Sequence, residues 1–339
     1  MIEIYKKMYN LKTLEMGKIC ENTISFIFFD EDLNYYLSKN NNLITYKIKN
    51  ETNVIDIIKK IEKQFELIIY NCYPLCFIKN NSIIFACKIK TISKNLKLYN
   101  QQNPDINKLI KINNKKSSFY SNIYDDEYVL LEKYKKRYLF YQNVIKKYFL
   151  TDKKRKKAEY MNLLRELIGN KANKIIDVSC GDNDDLFVTF NDREIVVGND
   201  INLYHLKMNN NIHKDSIFTN DNILDFSFSE NFFDVSYCKN TLHHLKNLDE
   251  YNVALKNMLK ISKKCIVVEI ENPQITGGFP KFLNKYLYIK FLKDAGKKFI
   301  SSDEFKKVIT DNFNDKYDIK FSTFENILGR NMIAIIEKR

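Results

Sequence analysis

The residues best suited to chemistry lie at the ends of two successive apolar segments in the second half of the chain. The first segment ends in Asp177 and runs into the loop 178–183, Val-Ser-Cys-Gly-Asp-Asn. The second segment, residues 194–199, is followed by Asp200. This spacing is typical of a nucleotide-binding βαβ unit. The loop after the first strand lets backbone approach the ligand, and the acid after the second accepts hydrogen bonds from ribose hydroxyls.

The elements that must position these residues alternate between strands and helices. Strands are predicted at 174–178, 194–199, 215–219, 233–238 and 265–270. The segments between them are long enough for helices, and this alternation indicates a parallel, doubly wound sheet. Two further strands, 317–324 and 332–337, flank a short turn at 329–331 and must pair antiparallel. We therefore predict an α/β fold for residues 166–339, with a Rossmann-like parallel sheet and an antiparallel C-terminal hairpin.

The front of the chain is predicted to be a small α+β domain, residues 1–95, whose role the sequence does not indicate. Its predicted strands are 23–29, 43–48, 66–70 and 82–89. The segment 54–65 is predicted to be a helix, since it places apolar residues on one face: Val54, Ile57, Ile58, Ile61 and Phe65.

Residues 96–165 are predicted to be a linker with basic amphipathic helices. A long helix is expected at 125–149, and a second at 158–168 ends at Gly169. Tyrosines beside lysines suit either nucleic-acid binding or an ordinary amphipathic helix with a solvated lysine face. A helical lid over a ligand pocket is the third alternative.

The positive charge of the chain is concentrated in its front half. Residues 1–165 hold 31 Lys/Arg against 17 Asp/Glu, whereas residues 166–339 hold 24 against 25. A basic region indicates polyanionic partners such as RNA or anionic lipid. The competing interpretation, which we favour, is a nucleotide bias in the coding sequence, because Asn, Ile, Tyr and Phe are also abundant.

Composition indicates a globular protein of two domains, with 339 residues and 45% hydrophobic content. No secretory signal is visible, and the apolar runs are far shorter than the ~20 residues of a membrane span. The seven cysteines are scattered and predict reduced thiols in a cytoplasmic protein. Cys72 and Cys76 have no second pair, so no metal site is predicted. The sequence leaves the oligomeric state open.

Four elements of the second half together resemble a known family. They are the loop 177–183, Asp200, the segment 218–238, and the block 239–245, Lys-Asn-Thr-Leu-His-His-Leu. Taken jointly, they resemble class I S-adenosylmethionine-dependent methyltransferases of the small-molecule, type 11-like group, which includes quinone-ring methyltransferases. The resemblance covers about residues 165–339. Nicotinamide-binding Rossmann proteins share the loop and the ribose acid but lack the last block and the hairpin.

The resemblance implies roles for residues of the loop and of the second strand end. Asp177 would orient the loop and meet the amino group of the cofactor. The three glycine positions of the family are Ser179, Gly181 and Asn183 here, so only the middle glycine is kept. Asp200 would accept hydrogen bonds from the ribose hydroxyls. Ile201 would flank the adenine.

Further implied roles fall on residues after the third, fourth and fifth strands. The acceptor for the adenine amino group falls on Asn222, with Asp221 beside it. Lys239 and Asn240 follow the fourth strand, where a parallel sheet opens its ligand crevice. The candidate catalytic residues are His243 and Glu269, the latter as a general base. The alternatives are a hydrogen-bonded packing role for His243 and a solvated strand end for Glu269.

The function implied is methyl transfer from S-adenosylmethionine, with S-adenosylhomocysteine as product. The expected acceptor is a small metabolite, lipid or glycan precursor. One alternative is an RNA-modifying methyltransferase that binds RNA through basic residues 133–157. The other is a catalytically degenerate domain that serves as a scaffold.

Overall fold

The computed structural model describes residues 2–14, 23–29, 35–38, 43–47, 53–78, 82–89, 96–98, 157–181, 185–271, 298–326 and 329–339. The chain forms two compact units. The first holds residues 1–121, 180–184 and 197–232, and the second holds 122–179, 185–196 and 233–339. The predicted helix at 125–149 and most of the predicted linker lie outside the described residues.

The first unit begins with a mixed sheet and two helices. Its elements are α1 (Ile2–Met8), β1 (Thr13–Leu14), β2 (Thr23–Phe29), β3 (Tyr35–Ser38), β4 (Ile44–Lys47), α2 (Val54–Phe65), β5 (Ile69–Ile78), β6 (Ser82–Ile89) and β7 (Leu96–Leu98). The described strands follow the order β1-β5-β6-β2-β3-β7, and β4 pairs with β2. β2 and β6 are buried at every residue, and most of their residues on both faces are apolar.

The helix predicted at 54–65 is confirmed. Asn53 caps it by accepting the backbone N–H of Ile55 at 3.0 Å, and its predicted apolar face is buried. The strand predicted at 66–70 is wrong in its start, because Glu66 ends α2 in the left-handed region at φ 53° and β5 begins at Ile69. The sequence-based prediction also missed α1, β1, β3 and β7, which are all short.

The first unit also includes some of the elements that were predicted as part of the α/β fold. It includes α5 (Leu203–Ile212) and β10 (Ile217–Thr219), which pairs in parallel with residues 197–199 of β9 (Ile195–Asn199). The N-terminal elements pack directly on this part. Lys207 on α5 forms an ion pair with Glu62 on α2 at 2.6 Å. The N-terminal sheet and these elements are therefore one compact body.

The second unit contains the remaining elements of the α/β pattern. Residues 157–168 form α3, which ends at Gly169 with φ +85°, as predicted. The elements that follow are β8 (Lys174–Asp177), α4 (Asp185–Thr189), β11 (Phe233–Lys239), a 3₁₀ turn (Leu242–His244), α6 (Leu248–Ile261), β12 (Ser262–Ile270), α7 (Ser302–Phe313), β13 (Tyr317–Asn326) and β14 (Gly329–Lys338).

The α/β sheet has the order β10-β9-β8-β11-β12-β14-β13 among its described strands. β8, β11 and β12 pair in parallel, while β14 pairs antiparallel with both β12 and β13. The predicted parallel sheet with an antiparallel hairpin is therefore confirmed. The turn predicted at 329–331 is wrong, because the ladder runs on to the pair Asn326–Gly329. A cross-strand ion pair of 2.7 Å between Glu325 and Arg330 supports this extension.

Three further features can be stated for the described part of the chain. Six cysteines are buried and none is in a disulfide bond: Cys72, Cys76, Cys87, Cys180, Cys238 and Cys265. No group of three His, Cys, Asp or Glu side chains there could hold a metal ion. None of the described helices has the length and apolar character needed to cross a membrane.

Candidate functional site

Asp200, the predicted ribose acid, follows β9 and is 5% exposed. One carboxylate oxygen accepts the backbone N–H of Gly181 at 2.8 Å, and the other accepts that of Asn202 at 2.7 Å. Gly181 has φ +51°, a conformation that side chains disfavour. The structure thus joins two predicted site residues, and it explains why this glycine is the one that the loop keeps.

Asn220 had no predicted role, although it directly follows β10. It is 4% exposed, and its side-chain N–H groups donate to the carbonyl oxygens of Asp200 at 2.7 Å and Ile201 at 2.8 Å. Asn220 therefore fixes the backbone that carries both predicted adenosine contacts.

Asp221 is buried, at 7% exposure, and accepts two backbone N–H groups. These come from Asn222 at 3.0 Å and Ser227 at 2.9 Å. Burial raises the pKa of Asp221 to about 7; the two hydrogen bonds oppose this shift, and the nearby Asp225 adds to it. The side-chain oxygen of Asn222 accepts the N–H of Leu224 at 2.9 Å, so Asn222 closes a turn beside the acid.

His205 on α5 is a second residue without a predicted role. Its Nδ1 is buried and has no hydrogen-bond partner among the residues described here. It lies 3.7 Å from the place that a Cβ on Gly181 would occupy. Asn209, one turn further along α5, donates to the Gly181 carbonyl at 2.8 Å. The sequence signal for both is their place on the helix after the ribose acid.

Asp177 and Ser179 belong to the second unit. Asp177 is 1% exposed, and its carboxylate accepts the backbone N–H of Ser179 at 3.2 Å. The N–H of Val178 donates to the carbonyl of Tyr237 at 2.9 Å. Asp177 thus contacts the backbone at the start of the loop, while Asn183 lies outside the described residues.

Lys239 ends β11 within a cluster of charged and aromatic groups. Its ammonium lies 2.8 Å from the Asp185 carboxylate and 4.1 Å from the centre of the Tyr160 ring. Lys157 is 3.5 Å from the second Asp185 oxygen. The hydroxyls of Tyr160 and Tyr237 are hydrogen-bonded, and burial raises the pKa of both. Lys239 is thus held by groups of its own unit.

Asn240 is the residue after β11 and has φ 50°, which is uncommon for a non-glycine residue. Its backbone N–H donates to the Val268 carbonyl at 2.8 Å. Its side-chain oxygen is buried and has no hydrogen-bond partner in the described part of the chain. A strained residue with an unsatisfied buried acceptor is typical of a ligand-contacting position.

His243 and Glu269 are brought together, each with 1% exposure. His243 Nδ1 lies 2.5 Å from one Glu269 oxygen, and the other accepts the N–H groups of Thr241 and Leu242 at 3.2 and 2.9 Å. The His243 ring also stacks on Phe299 at 4.7 Å. The solvated strand end considered for Glu269 is wrong, since the side chain is enclosed by these donors. The geometry agrees with the hydrogen-bonded packing role of His243.

Asp234 was part of the pattern behind the resemblance, but it lies at the start of β11. It accepts the backbone N–H groups of Asn173 and Lys174 at 2.9 and 3.1 Å, and Lys263 pairs with it at 2.8 Å. It therefore connects the starts of β8 and β11, at the end of the strands opposite to the ligand crevice of a parallel sheet.

Comparison with known proteins gives one family match. Residues 176–267 match the family model described as a methyltransferase domain. A search of curated proteins found no match. Three solved structures illustrate the likeness. The methyltransferase domain of bacterial CtHen1 is 16% identical and aligns over 53% of this chain and 96% of its own, with a TM-score of 0.39.

Magnesium protoporphyrin IX methyltransferase from Synechocystis PCC 6803, solved with bound S-adenosylmethionine, is 11% identical over 57% of this chain and 84% of its own, with a TM-score of 0.42. An S-adenosylmethionine-dependent methyltransferase from Methanosarcina mazei is 17% identical. It aligns over 52% of this chain and 96% of its own, with a TM-score of 0.41. The family match covers the loop, the ribose acid and the block after β11. Residues 176–267 are thus similar to a methyltransferase domain.

Proposed function

We propose that the protein methylates a small metabolite, lipid or glycan precursor and releases S-adenosylhomocysteine. The observation that carries the proposal is the buried Asp200 carboxylate after β9, bonded to the backbone of Gly181. This arrangement of an acid and a glycine loop suits the ribose of an adenosine ligand.

The donor and acceptor groups present fit S-adenosylmethionine. The ribose hydroxyls and the adenine amino group are donors, and Asp200 and Asp221 offer buried carboxylates to receive them. Ile201 follows Asp200 and would flank the adenine. In the second unit, the buried side-chain oxygen of Asn240 has no hydrogen-bond donor among the described residues. The ammonium group of the methionine part of the cofactor would donate a hydrogen bond to it. Asp177 would meet the same amino group.

Three further residues are proposed to support cofactor binding. Ser179 would line the methionine part through its loop backbone, and Asn222 would hold the turn beside Asp221. Lys239 would support the site indirectly, by holding the Asp185 carboxylate in place. Its ammonium already forms an ion pair with that carboxylate at 2.8 Å. S-adenosylmethionine, when bound, supplies an electrophilic methyl group, so the protein chiefly contributes alignment and exclusion of water.

His243 and Glu269 are proposed to work as positioning residues. Glu269 accepts the N–H groups of Thr241 and Leu242 and contacts the His243 ring. These bonds hold the turn that carries Asn240 at the end of β11. The 1% exposure of both side chains supports positioning more than direct proton transfer.

A small acceptor is favoured by the charge of the methyltransferase half. Residues 166–339 hold 24 Lys/Arg against 25 Asp/Glu, so this half has no excess charge to attract a polyanion. The RNA alternative rests on residues 1–165, with 31 Lys/Arg against 17 Asp/Glu. The basic stretch 133–157 that it invokes lies outside the described residues, except for Lys157.

Transfer of a labelled methyl group distinguishes the acceptors. The protein and an Asp200→Ala control are incubated with methyl-tritiated S-adenosylmethionine and separate small-molecule, lipid and RNA fractions. We expect label in the small-molecule or lipid fraction with the wild-type protein alone. Nuclease-sensitive label in RNA would replace the proposal by the RNA alternative. Cofactor binding without transfer to any fraction would favour the scaffold.

A further inference from the structure

A single side-chain amide connects the N-terminal sheet to the predicted ribose acid. The Asn220 oxygen accepts the backbone N–H of Cys72 on β5 at 2.8 Å. The two N–H groups of the same amide donate to the carbonyls of Asp200 and Ile201 at 2.7 and 2.8 Å. Since all these residues belong to the first unit, the connection lies within one compact body.

The chemistry of the connection admits only one orientation of the amide. A primary amide has two donors and one acceptor group, and here each end meets its complement. Turning it over would place its oxygen against two carbonyl oxygens and its N–H groups against the Cys72 N–H. Because Asn220 is 4% exposed, water cannot replace a lost partner at low cost.

A second connection reaches the other buried acid. The backbone N–H of Asn10, just after α1, donates to the Ser227 carbonyl at 2.8 Å, and the Ser227 N–H donates to the Asp221 carboxylate at 2.9 Å. On the neighbouring residues, the Tyr9 and Phe228 rings stack at 5.2 Å. The segment around Tyr9 therefore pairs with the loop that surrounds Asp221.

We propose that the N-terminal domain, residues 2–98, positions the adenosine-binding part of the site, with Asn220 as the principal positioning residue for Asp200. The inference rests on the proposed function, since it takes Asp200 and Asp221 as the adenosine contacts. It gives the domain a role that its sequence does not indicate. The domain acts as an internal support for cofactor binding rather than as a separate module.

Other contacts of the same domain provide the matched control. Asn53 donates to the Ser216 carbonyl at 3.1 Å, ahead of β10, and touches neither acid. Removing the Asn53 amide takes away this hydrogen bond between the N-terminal elements and residues 197–232, together with the N-cap of α2. It leaves the bonds of Asn220 and Ser227 in place.

The test measures affinity for S-adenosylhomocysteine and for 5′-methylthioadenosine by calorimetry on the full chain, together with the melting temperature. Asn220→Ala removes all three bonds, and Asn220→Asp keeps an acceptor for Cys72 while losing both donors. We expect each variant to weaken binding about tenfold or more. The factor should be the same for both ligands, because both contain the adenosine part. Asn53→Ala should lower the melting temperature and leave both affinities within about twofold.

Three outcomes are informative. If the wild-type protein binds neither ligand, the proposed function fails and the inference fails with it. If the wild-type protein binds and the folded Asn220→Asp variant keeps its affinity, only the inference is overturned. Equal losses for Asn53→Ala and the Asn220 variants would also overturn it, since the effect would then be general packing. Should Asn220→Ala not fold, Asn220→Asp alone decides.

Discussion

His243 in the turn after β11 and Glu269 on β12 share a hydrogen bond of 2.5 Å at 1% exposure each. Glu269 also accepts the N–H groups of Thr241 and Leu242, so its carboxylate holds the whole turn. We expect Glu269→Gln to lower the free energy of unfolding by about 2–4 kcal/mol. The reason is that the amide N–H groups of glutamine would point at other N–H donors, such as those of Thr241 and Leu242, and could not accept their hydrogen bonds. Urea denaturation measures the change.

The control for this prediction is Glu325→Gln. Glu325 pairs with Arg330 at the exposed end of the hairpin, where its side chain is 61% exposed. Its replacement should change the free energy of unfolding by less than about 1 kcal/mol. A similar loss for the two variants would show that the Glu269 network contributes no more than a surface pair.

The proposed role of Asp221 predicts that cofactor binding depends on pH. Its pKa is raised to about 7, chiefly by burial, and the proposed role needs the charged form to accept the adenine amino group. Affinity for S-adenosylhomocysteine should therefore fall by up to about tenfold per pH unit below pH 7. Calorimetry between about pH 5.5 and pH 8.5 measures this, and Asp221→Asn should remove the dependence. A flat profile in the wild-type protein would contradict the role.

The same raised pKa acts on stability with the opposite sign. The folded state holds the proton of Asp221 more tightly than the unfolded chain, whose carboxyl has a pKa near 3.8. Its contribution is fully present below pH 3.8 and is lost as pH rises through about 7. As pH rises from 3.8 to about 7, the free energy of unfolding should therefore lose this contribution. The affinity for the cofactor should rise as pH approaches 7. Asp221→Asn separates this group from the other titrating groups.

Asn240 should show a conflict between stability and binding. Asn240→Gly relieves φ 50° and removes a buried oxygen that has no partner in the described structure. We expect the variant to gain about 1 kcal/mol in unfolding free energy and to lose cofactor affinity several-fold. Asn231→Gly is the control, since Asn231 has φ 54° and is exposed. Unchanged affinity in Asn240→Gly would refute the contact with the cofactor.

Lys239 and Asp185 should be energetically coupled. Their side chains are 22% and 9% exposed and 2.8 Å apart. Lys239→Met should cost about 2–3 kcal/mol, and adding Asp185→Leu should recover part of it, with a coupling energy above about 1 kcal/mol. Lys263 also pairs with an aspartate, Asp234, but its own side chain is 65% exposed, so Lys263→Met should cost under about 1 kcal/mol. A double-mutant cycle with no coupling would contradict the pairing.

Much of the α/β fold could be predicted because its signals are local. β8, β9 and β12 hold uninterrupted apolar stretches, as buried parallel strands do, whereas Asp234 and Ser236 interrupt the apolar residues of β11. The sequence predicts the hairpin but ends its strands too early, because the ladder includes the pair Asn326–Gly329. The ion pair between Glu325 and Arg330 joins residues on different strands, and no local sequence signal indicates it.

The site was only partly predictable, for a physical reason. Gly181 and Asp200 follow a known spacing, whereas Asn220, His205 and Asp185 gain their roles from partners far away in sequence. An asparagine after a strand is common, and nothing local shows that Cys72 supplies its third hydrogen bond. Burial also changed one prediction: Glu269 ends a strand in the sequence pattern, but donors from another element enclose it.

Calorimetric titration of S-adenosylmethionine into the wild-type protein and into Asp200→Ala tests the central claim most directly. The proposed function predicts saturable binding to the wild-type chain and no detectable heat with Asp200→Ala. The variant lacks the carboxylate that accepts the Gly181 N–H and is proposed to accept the ribose hydroxyls. Circular dichroism would confirm that both proteins are folded. No binding to the folded wild-type protein at millimolar cofactor, or equal binding to the two proteins, would contradict the account.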